Sequence, residues 1–311
     1  MNHRWLAVAW ACAPLCAANG QGFAETMMRA NGADSVGDHA RAAALYEQAY
    51  GVSGFDPVVL AVAAQSAAEA GMTDRALRDL GRAIDQGVLE PRLMADTAFW
   101  TLRADRRWKA LDARMHRKLA AVDQPLRTEL LRLADRDQRN RAGIGAVLTK
   151  YGVKSPQGDS AMRAMTAADA PIQAKVRKII AQHGWPGRAL VADDGAHAAW
   201  LVVQHMPHAY QARVLALLRA AGRAGDARAG DVALLEDRVL VGSHRRQRYG
   251  TQLTNPPAGG PPSLDPIAHE QCVDQRRRRV GLEPLAEYLK GFGVTYHPVG
   301  TCPAGATRAH S

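Results

Sequence analysis

Aromatic residues are scarce, making up 5% of the 311 positions, whereas alanine and arginine abound. That balance favours helix over strand, and no run of alternating apolar and polar residues argues for a sheet. Cysteine is rarer still, with four in the chain, and no C-x-x-C or Cys/His spacing exists. Zinc ribbons and dithiol redox motifs are therefore excluded. The chain also lacks a G-x-x-x-x-G-K phosphate loop, a Ser/His/Asp order and a suggestive pair of carboxylates. No apolar run reaches the ~20 residues that a membrane-spanning helix needs. What remains is a mainly α protein with 47% hydrophobic residues, enough for a buried core.

The N-terminus reads "MNHRWLAVAWACAPLCAANGQGFAE". Arg4, a short apolar run from Trp5 to Ala18 and small residues at an A-x-A-like boundary describe a secretory signal peptide. Cleavage follows Ala18 or, at the latest, Ala24, and places the mature chain in the periplasm or outside the cell. Cys12 and Cys16 leave with the signal. Cys272 and Cys302 remain, an even pair in an oxidising compartment, where a disulfide would tie down the Gly/Pro-rich tail over 290–311. A formal charge of +10 would ordinarily suggest nucleic acid, but export removes that partner. The run "RRRR" at 276–279 reads as a solvated helix face, or else as a patch for anionic lipid or envelope polymer.

Residues 36–122 carry a repeat. Ala42, Tyr46 and Ala49 recur as Ala76, Leu80 and Ala83, each displaced by 34 positions. That is the tetratricopeptide period, in which small residues let antiparallel helices approach closely. Between them, "DPVVLAVAAQSAAEAG" reads as a helix from about Pro57 to Ala70, stopped by Gly71. A third unit is degenerate: it supplies two more helices, with Arg114 at a position that expects bulk and Trp108 placed to plug the end of the stack. An array this short is expected to lean on the remainder of the chain. Its concave face would grip protein or peptide.

Beyond Gln124, Leu126, Leu130, Leu133 and Asp137 form one stripe of a long helix, broken at 152–160. A second helix over about 160–182 ends at "HGWPG". "RALVADDG" reads as an extended link, with Asp193 or Asp194 capping the next helix. Two stretches concentrate polar side chains. "GAHAAWLVVQH" holds His197, Trp200 and Gln204 on one helix face, with His205 turned partly away. "RRQRYGTQL" sets Arg248, Tyr249, Thr251 and Gln252 around Gly250, the mark of a turn or close backbone approach. The two are expected to face each other, either as a ligand site or as a network that fixes the domain. His197 and His205 are ~12 Å apart along a helix, too far for one ion. His205 and His208 flank Pro207 and could share one only through loop geometry. No metal and no cofactor are expected.

Taken in order, "HGWP", "DGAHAAWLVVQH", "DRVLV" and "QRYGTQ" resemble the bacterial domain of unknown function 6624, over about Gln124–Leu289. The resemblance implies a mostly helical domain with irregular loops and characteristic residues at His183, Trp185, His197, Trp200, Gln204, His205, Arg248, Tyr249 and Gln252. It implies no activity. The chain departs from the pattern at Met206–Pro207, in a Gly/Pro insertion over 255–262, and beyond Lys290. The sequence supports two functions. The first is an exported scaffold that binds protein or peptide through its repeats. The second is an enzyme or small-ligand domain using a His/Arg/Tyr/Gln pocket for an anionic or polar molecule.

Overall fold

A computed structural model describes residues 21–152, 155–254 and 262–303. Residues 1–20, where most of the expected signal peptide falls, most of the Gly/Pro insertion and the last eight residues lie outside the described residues. The chain is mainly helical: α1 (Gln21–Ser35), α2 (His39–Val52), α3 (Pro57–Glu69), α4 (Thr73–Asp85), α5 (Pro91–Met94), α6 (Arg106–Ala120), α7 (Gln124–Tyr151), α8 (Pro156–His183), α9 (Arg188–Val203), α10 (His208–Arg223), α11 (Ala229–Gly242), α12 (Val273–Arg279) and α13 (Leu285–Lys290). Among the described residues, none of these is long and apolar enough to cross a membrane.

Local chemistry sets the helix starts. Asp38, Asp56, Asp105, Asp123 and Ser155 each cap a helix by accepting a backbone N–H two or three residues on. Pro57, Pro125 and Pro156 then occupy a first-turn position, where a missing N–H costs nothing. The repeat residues do what their spacing requires. Ala42, Ala49, Ala76, Leu80 and Ala83 are fully buried and Tyr46 nearly so, where α2, α3 and α4 stack. A larger side chain at any of these alanines would overpack the stack, at about 1–3 kcal/mol. Trp108 closes the far end against Phe99, their ring centroids 5.6 Å apart. The third unit differs from expectation in its first helix. It breaks into the short α5 and a 3-10 turn over Thr97–Ala104, because Asp96 turns its carboxylate to the Ala98 N–H and to Gln65 Nε2.

The array does lean on the second half of the chain. The Asp193 N–H donates to the Gly87 carbonyl, the Asp123 N–H to Leu190, and the Gly54 N–H to Gly281, at 3.1, 2.8 and 2.8 Å. Gly54 and Gly230 lie so close that a Cβ on Gly230 would sit 2.7 Å from the Gly54 Cα. Largely buried, Arg228 spans the junction, 2.6 Å from Asp193 and 3.0 Å from Asp56.

In the second half, α7 and α8 form a hairpin over which α9 packs, with Leu130, Leu133, Ile172, Val176 and Trp200 in the core. The break between α7 and α8 is shorter than expected, confined to 152–155. The expected extended link is also corrected. Arg188–Leu190 are already helical, and the chain kinks at Val191 and Ala192 before the helix resumes. Asp193 does not cap it, because Arg188 and Arg228 hold that carboxylate in the interior. Asp194 does not cap it either: its carboxylate accepts only the adjacent Gly195 N–H and pairs with Arg127. The only strands among the described residues are the two-residue β1 (Leu253–Thr254) and β2 (Ser263–Leu264), paired antiparallel. Cys272 and Cys302 form a disulfide, their Cα atoms 4.6 Å apart.

Candidate functional site

The first polar stretch is only partly a site. On α9, the His197 Nδ1 lies 2.9 Å from Asp231 Oδ2, and the Trp200 Nε1–H donates to the Asp231 carbonyl at 2.9 Å. Their rings stack at 5.2 Å, and Trp200 is buried. Asp231 sits in the first turn of α11, where the helix dipole favours a negative charge. His197 and Trp200 thus fasten α9 to the start of α11.

The second stretch fastens to the same helix farther along. Its turn wraps fully buried Asp237: the N–H groups of Arg248, Tyr249 and Thr251 donate to that carboxylate at 2.6, 3.0 and 3.1 Å, and the Thr251 hydroxyl at 3.0 Å. Gly250 adopts a φ of 71° at the apex, and a side chain there would strike Leu285 and Ile267. The Arg248 guanidinium reaches Glu236 at 3.0 Å. Tyr249 is half-buried, and burial pushes its hydroxyl pKa up, so it remains a donor. The loop's carbonyls are taken from the opposite side. Arg276 Nε donates to the Arg248 carbonyl and Arg277 Nη1 to that of Tyr249, at 2.7 and 2.6 Å. This corrects the reading of "RRRR" as a solvated face, since Arg277 is fully buried and Arg276 pins three carbonyls. Only Arg278 and Arg279 are exposed.

The two stretches come together at their C-terminal ends. Gln204 and His205, just past α9, and Gln252 line a cleft of about 440 Å³ together with Arg141, Arg238 and His208. Among the described residues, His197 makes its hydrogen bond to Asp231 and not to Arg248. His183 is exposed at the end of α8, and Trp185 is buried in the core. "HGWP" is thus a helix stop and an anchor, with Gly184 closing the last turn on the Ile180 carbonyl.

Beneath the cleft lies a buried ionic network. Arg141 Nη2 bridges Asp137 Oδ1 at 2.8 Å and Asp169 Oδ2 at 2.7 Å. His205 Nδ1 is 2.8 Å from Asp137 Oδ2 and 2.7 Å from Arg141 Nε. One ring nitrogen cannot both accept from the guanidinium and donate to the carboxylate. Arg141 Nε already has Asp137 Oδ2 at 3.1 Å, so a proton on Nδ1, donated to Asp137, satisfies all three groups. Burial would raise the Asp137 pKa, but hydrogen bonds from His205 and Arg141 outweigh it and hold the carboxyl below its usual range. Burial pushes His205 down, only partly offset by Asp137. The imidazole is therefore neutral at neutral pH, with Nε2 left as an acceptor.

Sequence reasoning missed Arg141, Asp169 and Arg238 and saw Asp137 only as a stripe position. The available signal was Asp137 and Arg141 at i and i+4, both turned to the apolar side of α7.

In comparison with known proteins, the model of the Family of unknown function (DUF6624) matches residues 124–297, more than half of the chain and eight residues beyond Leu289. No curated protein and no solved structure matches. The matched span contains the cleft, the Asp137–Arg141–Asp169–His205 network and both polar stretches, and the chain belongs to the Family of unknown function (DUF6624).

Proposed function

We propose that this chain is an exported helical protein that binds a small anionic or polar molecule in the His205–Gln252 cleft, with the repeat array as a rigid support. One observation carries the reading. The cleft wall brings Arg141, Arg238, His205 and His208 together with the amides of Gln204, Gln211 and Gln252, and none of its lining residues is Asp or Glu. Arg141 is engaged by Asp137 and Asp169, the Gln211 amide by two carbonyls and His208 by Val239, so the cationic character of the wall rests on Arg238. With no carboxylate among the lining residues, the wall suits carboxylate or phosphate oxygens. It also lacks Ser, Thr and Cys, so no hydroxyl or thiol nucleophile faces a ligand there.

Binding of peptide by the array has less support. Between α2 and α4, Glu47, Arg75, Arg78 and Asp79 are already paired with one another. Chemistry in the cleft is a second reading, favoured by the Asp137–His205 pair. A neutral imidazole oriented by a carboxylate can take a proton at its free nitrogen. Export is supported by the N-terminal sequence and by the disulfide, which fits an oxidising compartment. Cleavage after Ala18 suits the fold better than cleavage after Ala24. Phe23 is buried in α1, and its N–H donates to Glu283 at 3.1 Å.

A thermal-shift series with inorganic phosphate, citrate and glutamate tests the cleft. At least one should raise the melting temperature of the native protein and have little effect on Arg238→Gln. If none does so at millimolar concentration, or if the variant responds equally, the reading fails.

A further inference from the structure

Outside the matched family domain, three side chains converge at one end of the first repeat. Asp34 lies in the last turn of α1, His39 opens α2, and Glu69 ends α3. The connection between α1 and α2 brings the first two together: Gly37, at φ 82°, returns its N–H to the Asp34 carbonyl, and the Asp38 N–H bonds Ala33. His39 Nδ1 is 2.8 Å from Asp34 Oδ1 and 3.4 Å from Glu69 Oε2. One ligand atom from each of the three lies within 4.8 Å of the other two.

We infer that Asp34, His39 and Glu69 form a site for a divalent transition-metal ion, zinc foremost. The donor set is one imidazole nitrogen and two carboxylate oxygens, which selects zinc or a similar ion over magnesium and calcium, whose sites are built from oxygen alone. An ion in place of the Nδ1 proton would meet the imidazole and both carboxylates together. A tetrahedral ion with bonds of ~2.0–2.1 Å sets its ligand atoms roughly 3.4 Å apart. The His39–Glu69 edge already has that length, at 3.4 Å. The His39–Asp34 edge has only to open by about half an ångström. Asp34 is buried and steadied by Ser66, whose hydroxyl donates to Oδ1 at 3.2 Å. Such outer hydrogen bonds orient metal-binding carboxylates. His39 and Glu69 keep 28% and 26% of their side-chain surface exposed, giving an ion a way in and water a fourth position. Bound there, the ion clips the α1–α2 turn to α3. The spacing hid the site, since its residues lie on three helices and none belongs to a sequence motif.

The test uses the untagged mature chain and zinc chloride, read by titration calorimetry and by the melting temperature, with cobalt absorbance reporting ligand type. The inference expects one ion per chain and a melting temperature that rises with zinc. It also expects Glu69→Gln and His39→Ala each to weaken binding by at least about tenfold. Glu69→Gln replaces a partly exposed side chain with one of equal size, so it keeps the fold if His39→Ala does not. No zinc heat and no melting shift would reduce the cluster to an ordinary ion pair. Binding unchanged in both variants would place the ion elsewhere, for example at His205 and His208. Either result overturns the inference.

Discussion

Replacing Arg228 with methionine should weaken the whole molecule, because its guanidinium ties the repeat array to the family domain. It lies 2.6 Å from Asp193 and 3.0 Å from Asp56, with 11% of its side chain exposed. Breaking a buried pair by removing one partner costs ~3–5 kcal/mol. Arg188 still holds Asp193 at 2.8 Å, which places the loss near the lower end, about 3 kcal/mol. With an unfolding entropy of ~2.1 cal/mol/K per residue, a single unit of this size should melt roughly 5 °C lower. Calorimetry of the native protein should show one transition, since the array and the domain also share backbone hydrogen bonds at Gly54–Gly281 and Gly87–Asp193. Combining Arg228→Met with Asp56→Asn, which keeps the α3 cap, should reveal coupling between the two positions. The pH dependence has a definite sign. Burial would raise Asp193, but Arg228 and Arg188 outweigh it and hold its pKa below the ordinary value. A depressed carboxylate stabilises the fold above its unfolded pKa of ~3.9 and loses that contribution as pH falls through the folded value. The gap between native protein and variant should therefore narrow in acid below about pH 4. A cost under about 1 kcal/mol, or two separate transitions in the native protein, would show that Arg228 does not hold the junction.

Three further outcomes are open to measurement. Asp237→Ala should cost about 3 kcal/mol or more by stranding the loop's donors, and it should abolish hydrogen-exchange protection at Arg248, Tyr249 and Thr251; unchanged protection would show that the carboxylate is not what orders the loop. Reducing Cys272–Cys302, which closes a 30-residue separation, should lower stability in urea by at most ~3–4 kcal/mol, and complete alkylation of the untreated exported protein would contradict the bond. On the proposal of export, protein recovered from the periplasm should begin at Asn19 by N-terminal sequencing, because a start at Glu25 removes the buried Phe23, and full-length protein in the cytoplasm would contradict it.

Much of the helical scaffold was legible because its signals are local. The 34-residue displacement of Ala42, Tyr46 and Ala49 reports helix packing directly, and Gly250 between bulky neighbours marked a turn that admits no side chain. The Leu126–Leu133 stripe located α7 for the same reason. The site was less legible because its chemistry is assembled across the chain. His205 depends on Asp137, 68 residues earlier, and nothing near either residue announces the other. His197 and Arg248 were expected to meet, yet each found a carboxylate of α11 closer to hand, Asp231 and Glu236. "RRRR" misled through composition. Arg277 is buried by the carbonyls of Tyr249 and Glu283 and the ring of Tyr288, which no charge count can foresee.

Whether the cleft lined by His205, Arg238 and Gln252 receives a small anion is decided by titration calorimetry of citrate into the native protein and into Arg238→Gln. Saturable one-site binding to the native protein is expected, weakened about tenfold or more in the variant, for the loss of one charged hydrogen bond. Equal affinity in both proteins, or no heat from the native protein, would contradict it.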